Sequence, residues 1–213
     1  MLKTAILISG RGSNMKALID AARQPGYPAR IAVVVSNIRD AEGLAIARAA
    51  GIPIEVINHR SYLSREEFER ELDAKLNQYG VQMVCLAGFM RILTSWFVDR
   101  WRDRLINIHP SLLPAYPGLD THKRALEAGD KQAGCTVHFV RADVDHGPII
   151  AQAAVPVEPG DTEETLAARV LKEEHRIYPQ TLRMIAEGRV NVFEEHVLIT
   201  GADAPAQALA NPR

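Results

Sequence analysis

Three short stretches of this chain carry residue types that do chemistry together. The first, Ser9-Gly10-Arg11-Gly12-Ser13-Asn14, lies between an apolar run and a helical pattern. Glycines allow a tight turn there, and the free N–H groups at a helix start point at whatever anion precedes them, which suits a phosphate. Taken alone, the loop is equally a plain strand-to-helix turn capped by Ser13, because two-glycine loops are degenerate. A dinucleotide loop would need a third glycine where Met15 stands and an acidic residue near Ser36-Asn37 for the ribose. A monophosphate or phosphoribosyl group is the better guest.

The second stretch is Asn107-Ile108-His109-Pro110-Ser111-Leu112-Leu113-Pro114. Asn107 and His109 are two residues apart, so on an extended backbone they share a face, and a carboxamide donor and an imidazole can converge. The prolines stiffen the loop that follows. The plainer reading is a rigid surface loop whose Asn and His satisfy backbone groups. The third stretch, Asp143-Val144-Asp145-His146-Gly147-Pro148, reads as a turn between two strands and offers the histidine a carboxylate partner in Asp145. His109, His122, His138 and Asp145 can also be read as metal ligands, but no two histidines have the i, i+4 spacing of a helical zinc motif, and no metal is expected. Glu174 stands apart. On the helical wheel of the segment from about Thr162, the residues Leu166, Val170, Ile177 and Thr181 bracket it, and a carboxylate among apolar neighbours is costly unless paired. The alternative is an edge position that snorkels to water.

These residues need a scaffold, and the hydrophobic pattern describes one. Ala5-Ile6-Leu7-Ile8 has no alternation and reads as a central strand buried on both faces. A helix carrying Met15, Leu18, Ile19 and Ala22 follows, ended by Pro25-Gly26. Strand Ile31 to Val35, helix Ala41 to Ala50 and strand Ile54 to Ile57 repeat the unit, which argues for a parallel sheet. Ser64 and Glu67 suggest a capping box for a helix with a Phe68, Leu72, Leu76, Tyr79 stripe. Strand Met83 to Leu86, a short helix around Trp96 to Trp101 and a strand near Leu105 to Ile108 lead into the proline-rich loop. Strands around Cys135 to Val140 and Ile149 to Val155 come next, then a helix opened by a box of Asp161 and Glu164. Residues 1–200 are expected to form one domain and 201–213 a frayed tail.

Composition narrows the function classes. With 213 residues, 47% hydrophobic and 24% charged, the chain is neither disordered nor fibrous. Lys plus Arg number 25 against 26 Asp plus Glu, so no net charge draws it to nucleic acid or anionic lipid. Cys85 and Cys135 lie singly in apolar stretches and read as buried thiols. With no leader pattern and no membrane-length apolar run, a cytoplasmic protein is expected.

The loop Ser9 to Asn14, the stretch Ala87-Gly88-Phe89-Met90-Arg91-Ile92-Leu93, the run Asn107 to Pro114, and Asp145-His146-Gly147-Pro148 occur in this order at spacings that resemble the folate-dependent formyltransferases, over roughly residues 4–195. The Asn107 to Pro114 run is the superfamily's, and the phosphate loop points within it to the branch acting on glycinamide ribonucleotide. The resemblance implies an α/β, Rossmann-like formyltransferase fold, with a mostly parallel central sheet and helices on both faces. It implies transfer of a formyl group from 10-formyltetrahydrofolate, as co-substrate, to the amine of 5-phosphoribosylglycinamide in de novo purine biosynthesis. The partners expected are small molecules, with the chain a monomer or homodimer.

By the same resemblance Asn107, His109 and Asp145 form a catalytic trio, while Gly12, Ser13 and Asn14 hold the substrate phosphate. Glu174 meets the ribose hydroxyls or the amine end. Met90, Arg91, Ile92, Leu93 and Asn107, with the turn Asp143, Val144, Asp145, line the folate pocket, and Arg65 lies near the folate tail. His146 stands where the family often has a small residue and puts a second titratable ring beside Asp145. His122 and His138 resemble positions near the site. The rivals are 10-formyltetrahydrofolate deformylase, with water as acceptor and normally an extra N-terminal domain, and methionyl-tRNA formyltransferase, with an extra C-terminal one. An idle phosphoribosyl-binding or folate-binding module would have no need to keep Asn107, His109 and Asp145 together.

Overall fold

The buried runs form seven strands of one sheet in a computed structural model that describes residues 1–201. They are β1 (Leu2–Ile8), β2 (Ala29–Ser36), β3 (Ile54–Val56), β4 (Met83–Leu86), β5 (Leu105–His109), β6 (Gln132–Phe139) and β7 (Ile149–Pro156). Between and after them come helices α1 (Ser13–Ala22), α2 (Gly43–Ala49), α3 (Arg65–Gln78), α4 (Ser95–Arg100), α5 (Thr121–Ala128) and α6 (Glu163–Ala186), and a hairpin of β8 (Val190–Phe193) and β9 (His196–Ile199). The sheet order is β3-β2-β1-β4-β5-β6-β7, parallel through β5 and antiparallel for β6 and β7. Strand order therefore reverses between β1 and β4, the place where open α/β sheets leave a crevice at their carboxyl ends.

Helices cover both faces, and the strands divide their side chains between two cores. Ile6 and Ile8 of β1 pack with Met15, Leu18 and Ile19 of α1 and Leu166, Val170 and Ile177 of α6. Ala5 and Leu7 face the other way, onto Phe68, Leu72 and Leu76 of α3 and Phe97 of α4. That is why the run shows no alternation: each side of a central parallel strand meets an apolar layer. Tyr178 of α6 ties the layers to the sheet, its buried hydroxyl donating to the Leu86 carbonyl at 2.8 Å, at the end of β4.

The far half of the sheet differs. In β6, Ala133, Cys135, Val137 and Phe139 enter the core under α6, while the intervening residues are Gly134, Thr136 and His138. In β5, Ile106 and Ile108 point the same way, and Asn107 and His109 point the other. This second face is polar and is closed by two loops. The proline-rich loop is fastened by Thr136, whose hydroxyl donates to the Ser111 carbonyl (2.7 Å) and accepts from the Leu113 amide (3.1 Å). The β6–β7 turn folds back with Gly147 pressed on β6, where an added Cβ would stand 1.7 Å from the Phe139 carbonyl oxygen.

Several local expectations need correction. Ser13 does not cap α1; the cap position is Gly12, at φ 76°, where a left-handed backbone favours glycine. Only half of the Ser64–Glu67 box forms: Ser64 accepts from the Glu67 amide, but the Glu67 carboxylate reaches one residue further, to the Leu63 amide. The box at α6 is Thr162 with Thr165, not Asp161 with Glu164; Asp161 is occupied by Arg169. Helix α5 and the β8–β9 hairpin have no clear signal in the sequence, α5 because prolines precede it and the hairpin because its strands are four residues each. Of the expected tail, residues 202–213 lie outside the described residues.

Gly147→Ala is expected to lower stability by about 1–3 kcal/mol, the usual penalty for overpacking, because the methyl group can be admitted only by moving the turn. Urea denaturation measures this, and an unchanged midpoint would contradict the close approach.

Candidate active site

The tips of β1, β4 and β5 and the returning β6–β7 turn bring the chemically active residues to two centres. At the first, Asn107 and His109 leave β5 on its polar face, paired in register with His138 and Thr136 of β6. Asp145 reaches them from the turn with its side chain only 9% exposed, held there by a backbone φ of 59°. Its Oδ2 accepts from the Gly118 amide at 2.9 Å and lies 3.4 Å from His109 Nδ1. Its Oδ1 lies 3.8 Å from His138 Nε2.

The hydrogen bonds assign the two rings. A carbonyl oxygen can only accept, so the 2.9 Å contact with the Tyr116 carbonyl puts a proton on His109 Nε2 and leaves Nδ1 to the carboxylate. His138 likewise donates from Nδ1 to the Phe139 carbonyl at 2.9 Å. Burial lowers the pKa of His138 from its ordinary 6.5, outweighing the carbonyl and Asp145, so near neutral pH its Nε2 is a lone pair. That lone pair accepts from Asn107 Nδ2 at 3.3 Å and orients the carboxamide. The remaining N–H and the Oδ1 of Asn107 have no partner among the described residues, and its side chain is partly exposed. Of the trio, Asn107 is thus the group with an uncommitted donor, while both His109 nitrogens are engaged.

The second centre is a pair formed by a buried carboxylate and a partly buried carboxamide. Asn14, in the first turn of α1, donates to Glu174 of α6 at 2.6 Å, and Asn14 Oδ1 is buried without a partner. Glu174 is 7% exposed; burial raises its pKa above the ordinary 4.5, and the Asn14 amide offsets only part of that. Gly12 and Ser13 stand beside this pair at the helix start. Gly12 is packed on Gly43, whose amide donates to the Gly10 carbonyl at 3.0 Å, so the loop is fastened to the start of α2.

Other expected residues form the surroundings. In the segment after β4, Leu93 is buried, Arg91 half-buried, and Met90 and Ile92 are exposed; Val144 is exposed as well. Asp143 is exposed, with no side-chain partner among the described residues. Arg65 is exposed at the first position of α3, with neither hydrogen bond nor ion pair among the described residues, and is not drawn to either centre. His146 is exposed and donates to the Val144 carbonyl, so the second ring beside Asp145 is His138 instead. His122 is half-buried with Nδ1 unpartnered, and a cavity of about 80 Å³ lies between it, Ser111 and Tyr116. The polar alternation of β6 was the available signal for His138. No pattern announced Ser9, whose hydroxyl accepts from the Met90 amide. Among the described residues no group of three or more His, Cys, Asp or Glu side chains is arranged to hold a metal ion, and no helix is long and apolar enough to cross a membrane.

Comparison with known proteins shows the family. The profile of a family described as formyl transferase matches residues 2–182. The chain belongs to the formyl transferase family. It is 46% identical to phosphoribosylglycinamide formyltransferase of Escherichia coli (strain K12), over 98% of this chain and 99% of that one. It is 51% identical to the trifunctional purine biosynthetic protein adenosine-3 of Gallus gallus, over 91% of this chain and 19% of that protein, so it spans about a fifth of that relative. The crystal structure of glycinamide ribonucleotide transformylase 1 from Symbiobacterium toebii superposes with a TM-score of 0.92 at 50% identity, covering 94% of this chain and 95% of that one. The expected fold, a formyl transferase sheet that is mostly parallel with helices on both sides, is the fold found.

A carboxyl group whose folded pKa is raised loses stability as pH climbs through its unfolded value, because only the unfolded chain ionises freely. Glu174→Gln is therefore expected to melt above the parent at pH 8, with the gap closing as pH falls below about 4.5. Thermal melts at pH 4 and pH 8 decide this; a gap independent of pH would contradict the raised pKa.

Proposed function

We propose that this chain transfers the formyl group of 10-formyltetrahydrofolate to the amine of glycinamide ribonucleotide by direct attack, without an acyl-enzyme. The observation that carries the reading is the convergence of Asn107, His109 and Asp145 on the polar face of β5 and β6, beside a phosphate-type loop at the β1 tip. The two centres match a substrate with an anionic end and a nucleophilic end. Gly12, Ser13 and Asn14 hold the phosphate with backbone and side-chain donors. Glu174 and the unpartnered Asn14 Oδ1 accept from ribose hydroxyls or the amine. Met90, Arg91, Ile92, Leu93, Asp143 and Val144 line the place of the folate, with Arg65 toward its tail.

Attack by the neutral amine puts negative charge on the formyl oxygen, and the residues that stabilise this charge set the rate. Asn107 donates its uncommitted N–H. His109 turns its Nε2 proton from the Tyr116 carbonyl to the oxyanion, since a hydrogen bond to a charged acceptor is the stronger of the two. Asp145 faces Nδ1 and offsets positive charge on the ring, and with a water it relays a proton from the attacking to the leaving nitrogen. His138 is a positioning residue that aims the Asn107 carboxamide. The reaction is that of a cytoplasmic monomer or homodimer handling small molecules.

Asn107→Ala and His109→Ala are each expected to lower kcat roughly 10²–10³-fold with smaller changes in KM. Asp145→Asn keeps the shape but removes the charge, and should also act mainly on kcat. Single-turnover assays that identify the formylated ribonucleotide test all three. Near-parental rates in the Asn107 and His109 variants would remove the mechanism, and formate released from the folate with no amine present would favour a deformylase.

A further inference from the structure

Ser9 belongs by sequence to the phosphate loop, yet its side chain serves the other half of the cleft. The segment from Ala87 to Thr94 has neither helix nor strand, and its exposed members Met90 and Ile92 must still hold a defined position if a flat ring is to pack on them. Its backbone is fastened at few points. The Ser9 amide donates to the Gly88 carbonyl at 3.0 Å, and the Met90 amide donates to Ser9 Oγ at 2.8 Å. At the far end, the buried carboxylate of Glu69 accepts from the amide and the hydroxyl of Thr94. Between these points the Arg91 and Ile92 amides have no partner among the described residues.

The Ser9 hydroxyl has a single proton, and its direction is determined. Because Oγ accepts from Met90, its proton goes to Asn37 Oδ1, 2.6 Å away. Asn37 is 2% exposed, and its Nδ2 lies 3.1 Å from His59 Nδ1. The His59 ring meets the edge of Phe68, a core residue of α3. A chain of polar contacts, Met90 to Ser9 to Asn37 to His59, thus ties an exposed loop across the tips of β1 and β2 to the interior. His59 Nδ1 also lies 3.2 Å from the Asn37 backbone carbonyl, so the ring is held against both the side chain and the backbone of Asn37.

We propose that Ser9 is a positioning residue for the folate-binding segment Met90–Leu93, acting through the Met90 amide and not through the phosphate. This rests on the proposed function above, in which that segment receives the pterin. Removing the hydroxyl frees the Met90 amide and leaves the Asn37 oxygen buried without a donor, so the segment loses its fixed start while the turn at Gly10 and Gly12 keeps its own attachment to Gly43.

Two measurements test it. In the parent protein, hydrogen exchange followed by NMR should show the Met90 amide protected at least about tenfold over those of Arg91 and Ile92. In binding titrations read by tryptophan fluorescence, 5-formyltetrahydrofolate, whose formyl group is on the wrong nitrogen for transfer, should bind Ser9→Ala roughly fivefold more weakly than the parent, the worth of one hydrogen bond. Ser9→Thr, which keeps the hydroxyl, should recover most of that loss, and the KM for glycinamide ribonucleotide should stay within about twofold in both variants. Equal exchange at Met90 and Arg91, unweakened folate binding in Ser9→Ala, or a matching loss for both substrates would overturn the proposal. The exchange experiment decides the matter even if Ser9→Ala does not fold. A parent protein that binds no folate at all would overturn the proposed function first, and this proposal with it.

Discussion

One buried carboxylate holds the working half of this protein together. Asp145 accepts the Gly118 amide from the proline-rich loop and faces His109 from β5 and His138 from β6, with little water to help it. An enclosed carboxylate is costly unless a donor meets it, and here the Gly118 amide supplies one while the His109 ring stands alongside. Both loops that cover the polar face are therefore locked by the same group. The proposed chemistry uses that charge, so closing the fold and preparing the site are one event.

The sheet makes this possible by treating its two halves differently. Through β1, β2 and β4, helices bury both faces, and the strands carry apolar side chains in every direction. At β5 and β6 one face keeps the α6 core while the other carries Asn107, His109, Thr136 and His138. Loops rather than a helix close that side, because a helix's apolar stripe has nothing to pack against there. Thr136 then satisfies the incoming backbone of Ser111 and Leu113, which converts a polar strand face into an anchoring surface.

The second centre shows the opposite economy. Glu174 is buried in α6 among apolar neighbours with only the Asn14 amide for support, and Asn14 keeps an unpartnered oxygen. Two polar groups left partly unsatisfied are destabilising in isolation. They are what a ligand rich in hydroxyl and amine donors would complete, and proteins commonly hold such unmet groups at their sites.

From sequence alone, the short apolar runs bounded by turn residues and alternating with helical patterns indicated the strands from β1 to β7. The motif order determined the family, and the spacing of Asn107 and His109 determined that they share a face. The wheel around Glu174 determined its burial. Tertiary structure decided the rest. Helix α5 and the β8–β9 hairpin are too short or too interrupted for periodicity to register, and they form because the rest of the chain packs against them. The capping boxes shifted by a residue because hydroxyls and carboxylates choose among several nearby amides, a choice made by the three-dimensional approach of the chain. The role of His138 is not legible in the sequence, because its tautomer depends on the Phe139 carbonyl and on a register between β5 and β6 that no local signal encodes. The chain of contacts from Met90 through Ser9 and Asn37 to His59 spans residues far apart in sequence, so only the folding of the strand tips side by side could create it.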